Sequence, residues 1–287
     1  MIKNSMRTVF LMALVGALFL LVGNVLGGQG GMVIAFIFAM LMNFFSYWYS
    51  DKMVLKMYRA KEVTRENAPQ FYGMVEDLAR RADLPMPKVY IIPQQQPNAF
   101  ATGRNPQNAA VAATQGILQS LNERELRGVM AHELAHIKNR DILTQTIVTA
   151  FVSAITMISQ FAIFLPIGRG GGDGPNPIVL LLTLILAPLA AGMLQAAISR
   201  TREFEADRVG AEICGSAESL ANALKKIQAS VQQMPMQASE TAQRSTAHMF
   251  PVNPFSARGM SKLFSTHPDT GLRIRKLMNM EKTGVYS

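Results

Sequence analysis

His132-Glu133-Leu134-Ala135-His136 decides how this chain folds, because its two histidines share a face only if the segment is an α-helix. Residues four apart on a helix are neighbours, with Cβ atoms ~5–6 Å apart, so both imidazoles can meet one zinc ion with no distortion of the backbone. Glu133 lies about 100° further round, where it reaches a water on the ion rather than the ion itself, the position of a general base. The flanking residues predict the same helix independently. Asn122 and Glu125 have the spacing of a capping box, and Glu123 adds a second acid to the first turn. Leu126, Val129, Met130 and Leu134 then recur at helical spacing, and Lys138 and Arg140 suit the C-terminal end.

A catalytic zinc keeps three protein ligands and one open position, so the chain must supply one more. Cys214 is the only cysteine. It excludes an intramolecular disulfide and a thiolate-bound structural zinc, and it reads as a small buried hydrophobe. No histidine or glycine occurs in the stretch from Ile137 to Ile142, so the third ligand must come from a distance. The candidates are His248, His267 and the acids of Arg200-Thr-Arg-Glu203-Phe-Glu205-Ala-Asp207. Glu203 and Asp207 share a helix face, so one can bind zinc while the other orients a histidine through its free N–H. Glu205 points about 200° away from Glu203 and is expected to face solvent.

Around these motifs the chain is strongly apolar. No charged residue occurs from Thr8 to Ser50, and the run breaks only at Gly27-Gly28-Gln29-Gly30-Gly31, so residues 8–26 and 32–49 each approach the ~20 residues that cross a bilayer core. A second uncharged pair, residues 142–168 and 174–199, flanks the short loop at Arg169–Asp173; each is long enough to span, with a buried or re-entrant hairpin as the alternative. Lys3 and Arg7 precede the first span and Lys52, Lys56, Arg59, Lys61 and Arg65 follow the second; Lys138 and Arg140 precede the third and Arg200, Arg202 and Arg208 follow the fourth. That asymmetry predicts both termini and both hydrophilic segments on the cytoplasmic side. The net charge of +9 then reads as membrane topology and attraction to anionic lipid. No basic stretch interleaves with aromatics, so no nucleic-acid partner is expected.

These boundaries divide the chain into a transmembrane hairpin (residues 1–50), a first catalytic segment carrying the histidines (51–141), a second hairpin (142–199) and a second catalytic segment carrying the acids (200–287). The second hairpin returns the chain to the same membrane face, so the two hydrophilic segments are expected to form one domain. In the first, residues 68–82 read as an amphipathic helix with Pro69 in its first turn, and residues 89–92, 99–102 and 109–114 as short strands. An edge strand beside the zinc could hold an extended peptide by β-augmentation. In the second, residues 204–215 and 218–231 read as helices and 232–260, rich in Met, Gln, Ser and Pro, as a loop.

Together, the hairpins, Pro97-Asn98-Ala99-Phe100-Ala101-Thr102-Gly103, His132–His136, Ser199-Arg-Thr-Arg-Glu203-Phe-Glu-Ala-Asp207 and Ser265-Thr-His267-Pro268 with Arg273 beyond resemble the HtpX family of bacterial membrane-embedded zinc endopeptidases. That family is related to prenyl-CAAX and Oma-type membrane proteases, and the resemblance spans nearly the whole chain. It implies a zincin-like α+β catalytic domain, mostly helical with a small β-sheet, joined to four transmembrane helices in two hairpins. It also implies one zinc per chain held by His132, His136 and Glu203, with Glu133 as base and Asp207 orienting a ligand. By the same resemblance Asn98 lies on the substrate-binding strand, and His267 and Arg273 border the site. An inner-membrane enzyme that cleaves membrane or misfolded proteins in a stress response is the function implied. A prenyl-peptide protease is the rival enzyme, for which four spans are too few to enclose a lipid chamber. A non-catalytic zinc scaffold is the rival outside enzymes, and it would need no Glu133.

Overall fold

The computed structural model describes residues 2–143, 146–148, 151, 200–233 and 269–284. Helical geometry runs without interruption through α1 (Ile2–Met57), yet α1 is not one rod. Phe19 and Phe38 would stand ~29 Å apart along a straight helix. Their ring centroids are 5.4 Å apart, because the chain doubles back at Gly28, whose φ of 57° suits a residue without Cβ. The two legs press together beside the turn, where a methyl on Gly23 would lie 2.5 Å from the Ala35 Cβ. The second leg continues to Met57, past the expected end at residue 50, so Lys52 and Lys56 lie on its last turns rather than after it. Among the described residues one helical stretch, Gly28–Met57, is long and apolar enough to cross a membrane. Nearly all of residues 142–199 lies outside the described residues, and with it the expected second hairpin.

A four-stranded mixed sheet follows, built from β1 (Lys61–Val63), β2 (Lys88–Ile92), β3 (Ala99–Gly103) and β4 (Ala109–Thr114) in the order β1-β2-β4-β3. β1 pairs antiparallel with β2, β2 parallel with β4, and β3 antiparallel with β4, which leaves β3 on an edge. Every residue of β3 and β4 is buried, so neither shows the polar alternation of a half-exposed strand. The alternation is between two cores instead. Ala99, Ala101, Val111 and Ala113 face the main core, while Phe100, Ala110 and Ala112 face Val54, Leu55 and Tyr58 at the end of α1.

On the main-core face lie α2 (Pro69–Arg81), the short α3 (Gln115–Ser120) and α4 (Glu123–Lys138). The capping box that starts α4 is formed as the sequence predicts: Asn122 Oδ1 accepts from the Glu125 amide and Glu125 Oε2 from the Asn122 amide, each at 2.9 Å. α5 (Arg200–Cys214), α6 (Ala217–Gln233) and α7 (Thr270–Thr283) complete the described fold, with α4 against α5 and α6. Lys226 of α6 donates to Glu125 at 2.7 Å, tying the two hydrophilic segments at the cap itself. They share one core: Leu126, Val129, Met130 and Leu134 of α4 pack with Val209, Leu220, Leu224 and Leu277. Cys214 packs against that core but is only partly buried. Residues 234–260 of the expected loop lie outside the described residues.

Candidate metal centre

Each functional side chain is placed by a local feature of its own element. The third and fourth turns of α4 bring His132, Glu133 and His136 into the interior, all three buried. α5 crosses α4 closely because Gly210 has no side chain. A methyl there would lie 2.9 Å from His132 Cα and 3.0 Å from its amide nitrogen. One and two turns back along the same face of α5 are Asp207 and Glu203, both buried, whereas Glu205 is exposed and pairs with Arg208 at 2.8 Å.

This crossing brings His132, His136 and Glu203 together, with one ligand atom of each within 4.8 Å of the others. Glu203 Oε2 is 3.9 Å from His132 Nε2, and its Oε1 is 3.6 Å from His136 Nε2. Behind each ring a second carboxylate faces Nδ1: Asp207 Oδ1 at 3.1 Å from His132 and Asp141 Oδ2 at 3.3 Å from His136. A carboxylate at Nδ1 holds the proton there and turns the Nε2 lone pair toward Glu203. Two ring nitrogens and a buried carboxylate then converge on one point, where a positive charge, a proton or a metal cation, is favoured. Two imidazoles and a carboxylate are also a donor set that catalytic zinc sites use. Charge agrees with this: Glu133, Asp141, Glu203 and Asp207 are buried against two buried guanidiniums, Arg202 and Arg273. The residues fit a divalent metal.

Electrostatics in the site follow from burial and this crowd of acids. Burial and the charge of Glu203 push Glu133 up to about 7, against the pull of His136, the Ala101 backbone N–H and Arg273. Burial pulls His136 down, but its bond to Asp141 and the charges of Glu203 and Glu133 outweigh this and hold it at about 9. The site gathers a proton where a dication would sit. His132 is held below the usual imidazole range by burial and by Arg273 and His136, despite Asp207. Burial acts to raise Asp207, yet Arg273 and His132 keep it below the usual carboxylate range.

Arg273, expected at the border, is inside the site and wholly buried. Its Nε and Nη2 donate to both Asp207 oxygens at 2.9 and 2.6 Å, and its Nη1 lies 3.4 Å from Glu203 Oε2. It thereby holds Asp207 and lies beside Glu203 on the buried face of α5. Asn98 is buried at the entry to β3, where its amide donates to Thr114 Oγ1 at 2.8 Å and its Oδ1 accepts from Ala99. The first of these, with the Thr114 N–H donating to the Asn98 carbonyl at 2.9 Å, pins the start of β3 to β4. His267 and His248 lie outside the described residues; α7 is capped by Asp269, whose Oδ1 accepts from the Leu272 amide at 2.9 Å.

Sequence reading missed Asp141 and the buried state of Arg202. α4 ends with Arg140 in the left-handed region (φ 58°), and the Asp141 amide bonds the His136 carbonyl at 2.9 Å. That closure returns the Asp141 carboxylate to His136, with Arg202 Nη1 4.0 Å from it. The signal was an acid five residues past the second histidine, where the helix stops.

The sequence pattern of the peptidase family M48 matches residues 65–281. The chain belongs to this family. Its relatives include the protease HtpX homolog of Methylibium petroleiphilum, 60% identical over 278 residues, which are 96% of this chain and 98% of that one. The protease HtpX homolog of Ralstonia pickettii is 56% identical over 283 residues and 99% of both chains. These likenesses bear out the HtpX resemblance, and the protein is a metalloprotease. A crystal structure of S. mikatae Ste24p shares the fold, with a TM-score of 0.54 at 18% identity over 96% of this chain and 66% of that one.

Proposed function

We propose that this metalloprotease is a zinc endopeptidase of the bacterial inner membrane that cleaves membrane or misfolded proteins at the cytoplasmic face. The observation that carries the chemistry is the convergence of His132 Nε2, His136 Nε2 and Glu203, with Glu133 on the same helix. These three side chains would hold the ion, and zinc when bound supplies a Lewis acid and a water acidified toward pKa ~7. Glu133 takes the proton of the attacking water and delivers it to the leaving amine. Asp207 and Asp141 hold His132 and His136 in the tautomer that presents Nε2, and Arg273 keeps Asp207 ionised. β3 is the sheet edge nearest this chemistry, since α4 packs against it and the Ala101 backbone lies near enough to Glu133 to lower its pKa. An extended substrate added along the Ala99–Ala101 part of β3, ahead of the Gly103 amide that Thr146 takes at 3.4 Å, would lay its backbone beside Glu133.

Membrane placement is supported by surface chemistry. In the apolar window of the Gly28–Met57 stretch only 11% is buried, and Val33, Ile34, Phe36, Ile37, Met40 and Leu41 are each more than half exposed. A continuous apolar face of that length would drive aggregation in water. The test of the reading is Glu133→Gln, with zinc content and peptide turnover measured on the same preparation. Zinc is expected at one per chain with turnover reduced by 10²–10⁴-fold. Turnover within a few-fold of wild type would refute Glu133 as the base.

A further inference from the structure

The second leg of α1 ends in a cluster of cations that the proteolytic site does not use. Lys52 and Lys56 lie on its last turns, and Arg59 follows in the left-handed region (φ 52°). The end is closed by backbone bonds, Ala60 N–H to the Leu55 carbonyl at 2.9 Å and Arg59 N–H to that of Lys56 at 3.0 Å. Val54, Leu55 and Tyr58 from the same turns are buried against Ile92 and Phe100 of the sheet, which fixes how the helix is rotated. The three cations consequently line one open cavity of about 580 Å³ between α1 and β2, with Leu55, Ala60 and Tyr90 as its other walls.

Cations outnumber acids around this cavity, where Asp51, beside Lys52 on the same helix, lies near enough for its charge to act on Tyr90. The Glu62 carboxylate nearby is taken up by the Tyr90 hydroxyl at 2.9 Å and by Lys88 at 3.4 Å. No ion pair joins Lys52, Lys56 or Arg59 to an acid among the described residues, and the Lys52 ammonium lies over the Tyr49 ring at 5.3 Å. One to two turns earlier on the helix Phe44, Phe45, Trp48 and Tyr49 are exposed, and Arg104 from the end of β3 lies over Trp48 at 4.3 Å. Exposed aromatics followed by cations on an apolar helix mark the level of lipid headgroups.

We propose that this cavity binds the phosphate of an anionic phospholipid headgroup, with Lys52, Lys56 and Arg59 as its partners and the acyl chains along the aromatic face of α1. The inference rests on the membrane placement argued above. A lipid held there would tie the end of α1 to the sheet whose far edge, β3, adjoins Glu133. Lipid composition would then set how firmly the catalytic domain is seated on the bilayer.

The test uses the full chain, extracted in mild detergent from membranes rich in phosphatidylglycerol, with retained lipid read by native mass spectrometry. One phosphatidylglycerol is expected to stay on the wild type. Each of K52Q, K56Q and R59Q should weaken retention on the order of fivefold, and the triple variant should lose it. K61Q/R65Q removes two charges from the same region but outside the cavity and should retain the lipid. Equal loss in K61Q/R65Q, or full retention in the triple variant, would overturn the site, as would displacement of the lipid by millimolar inorganic phosphate. Unchanged zinc content in each variant guards against misfolding, and the three single variants keep the test open if the triple one fails it. Membrane fractionation reads the premise separately: recovery of the wild type in the soluble fraction would sink the membrane placement itself.

Discussion

Gly210→Ala should damage the metal centre while leaving the fold intact. A methyl at this position meets backbone rather than side chain, at 2.9 Å from His132 Cα and 3.0 Å from its nitrogen, so no rotamer change can relieve it. Restoring an ordinary carbon–carbon contact of ~3.5 Å requires α5 to move about 0.6 Å away from α4. Glu203 and Asp207 travel with α5, while His132 and His136 stay with α4. Ligand distances in a metal site tolerate only about ±0.2 Å, so the displacement is several times the permitted error. A loss of zinc affinity of roughly 10–100-fold is expected, the size seen when a ligand's support is removed.

Stability should respond differently, because overpacking costs ~1–3 kcal/mol whereas replacing a helical glycine by alanine returns ~0.8–1.0 kcal/mol. The melting temperature of chelated protein should therefore fall only modestly. Gly73→Ala is the matched control: Gly73 is inside α2 with nothing within 4 Å of its added methyl, and the variant should gain a little stability and bind zinc normally. Zinc affinity by competition against a graded chelator, beside thermal melts of both variants, makes the comparison. Wild-type zinc affinity in Gly210→Ala would refute the idea that the close crossing of α5 over α4 sets the distance between the histidines and Glu203.

Three further outcomes follow from the contacts. Glu203→Ala should lose zinc and activity together, whereas Glu205→Ala, which removes only an exposed pair with Arg208, should change neither; metal analysis with the reverse pattern would move the third ligand. Asp141→Ala should keep the three metal-binding side chains yet lower zinc affinity by roughly 10–100-fold through the released His136 ring, as read by chelator competition, and an unchanged affinity would show that Asp141 does not orient His136. Asp207→Ala should be the most damaging, because it strands the wholly buried Arg273 without its bidentate partner at a cost of about 3–5 kcal/mol, visible in denaturation of the chelated protein and partly relieved by adding Arg273→Leu.

What the sequence shows and what it hides divide along a physical line. α4 is legible because every signal that specifies it is local: the capping box at Asn122 and Glu125, the apolar spacing and the paired histidines all lie within one short run. β3 and β4 are legible as strands from turn residues and small β-compatible side chains, but not as strands buried on both faces, since that depends on α1 docking onto Phe100 and Ala112. β1 escapes notice because Lys61 and Glu62 make two of its three residues charged, and its only warrant is the pairing with β2. The helical phase of Glu203, Glu205 and Asp207 is readable from 3.6-residue geometry. The role of Arg273 is not, because α7 meets α5 only through tertiary packing.

Asp141 shows why such residues stay hidden even when they stand close in sequence. Its carboxylate returns to His136 only because α4 ends within one turn and Arg140 accepts a left-handed backbone, a conformation that residue type does not advertise. Had the helix continued, Asp141 would lie about 140° from His136 around the axis, out of reach of its ring. Termination of the helix thus helps to shape the candidate metal centre. It gives His136 the same support that the second helix, α5, gives His132 through Asp207, so each imidazole is oriented by a different element and neither histidine can be moved without disturbing a separate piece of the fold. A change that lengthens α4, such as replacing Arg140 by a residue that resists positive φ, should consequently weaken metal binding through His136 alone and leave the pairing of His132 with Asp207 intact.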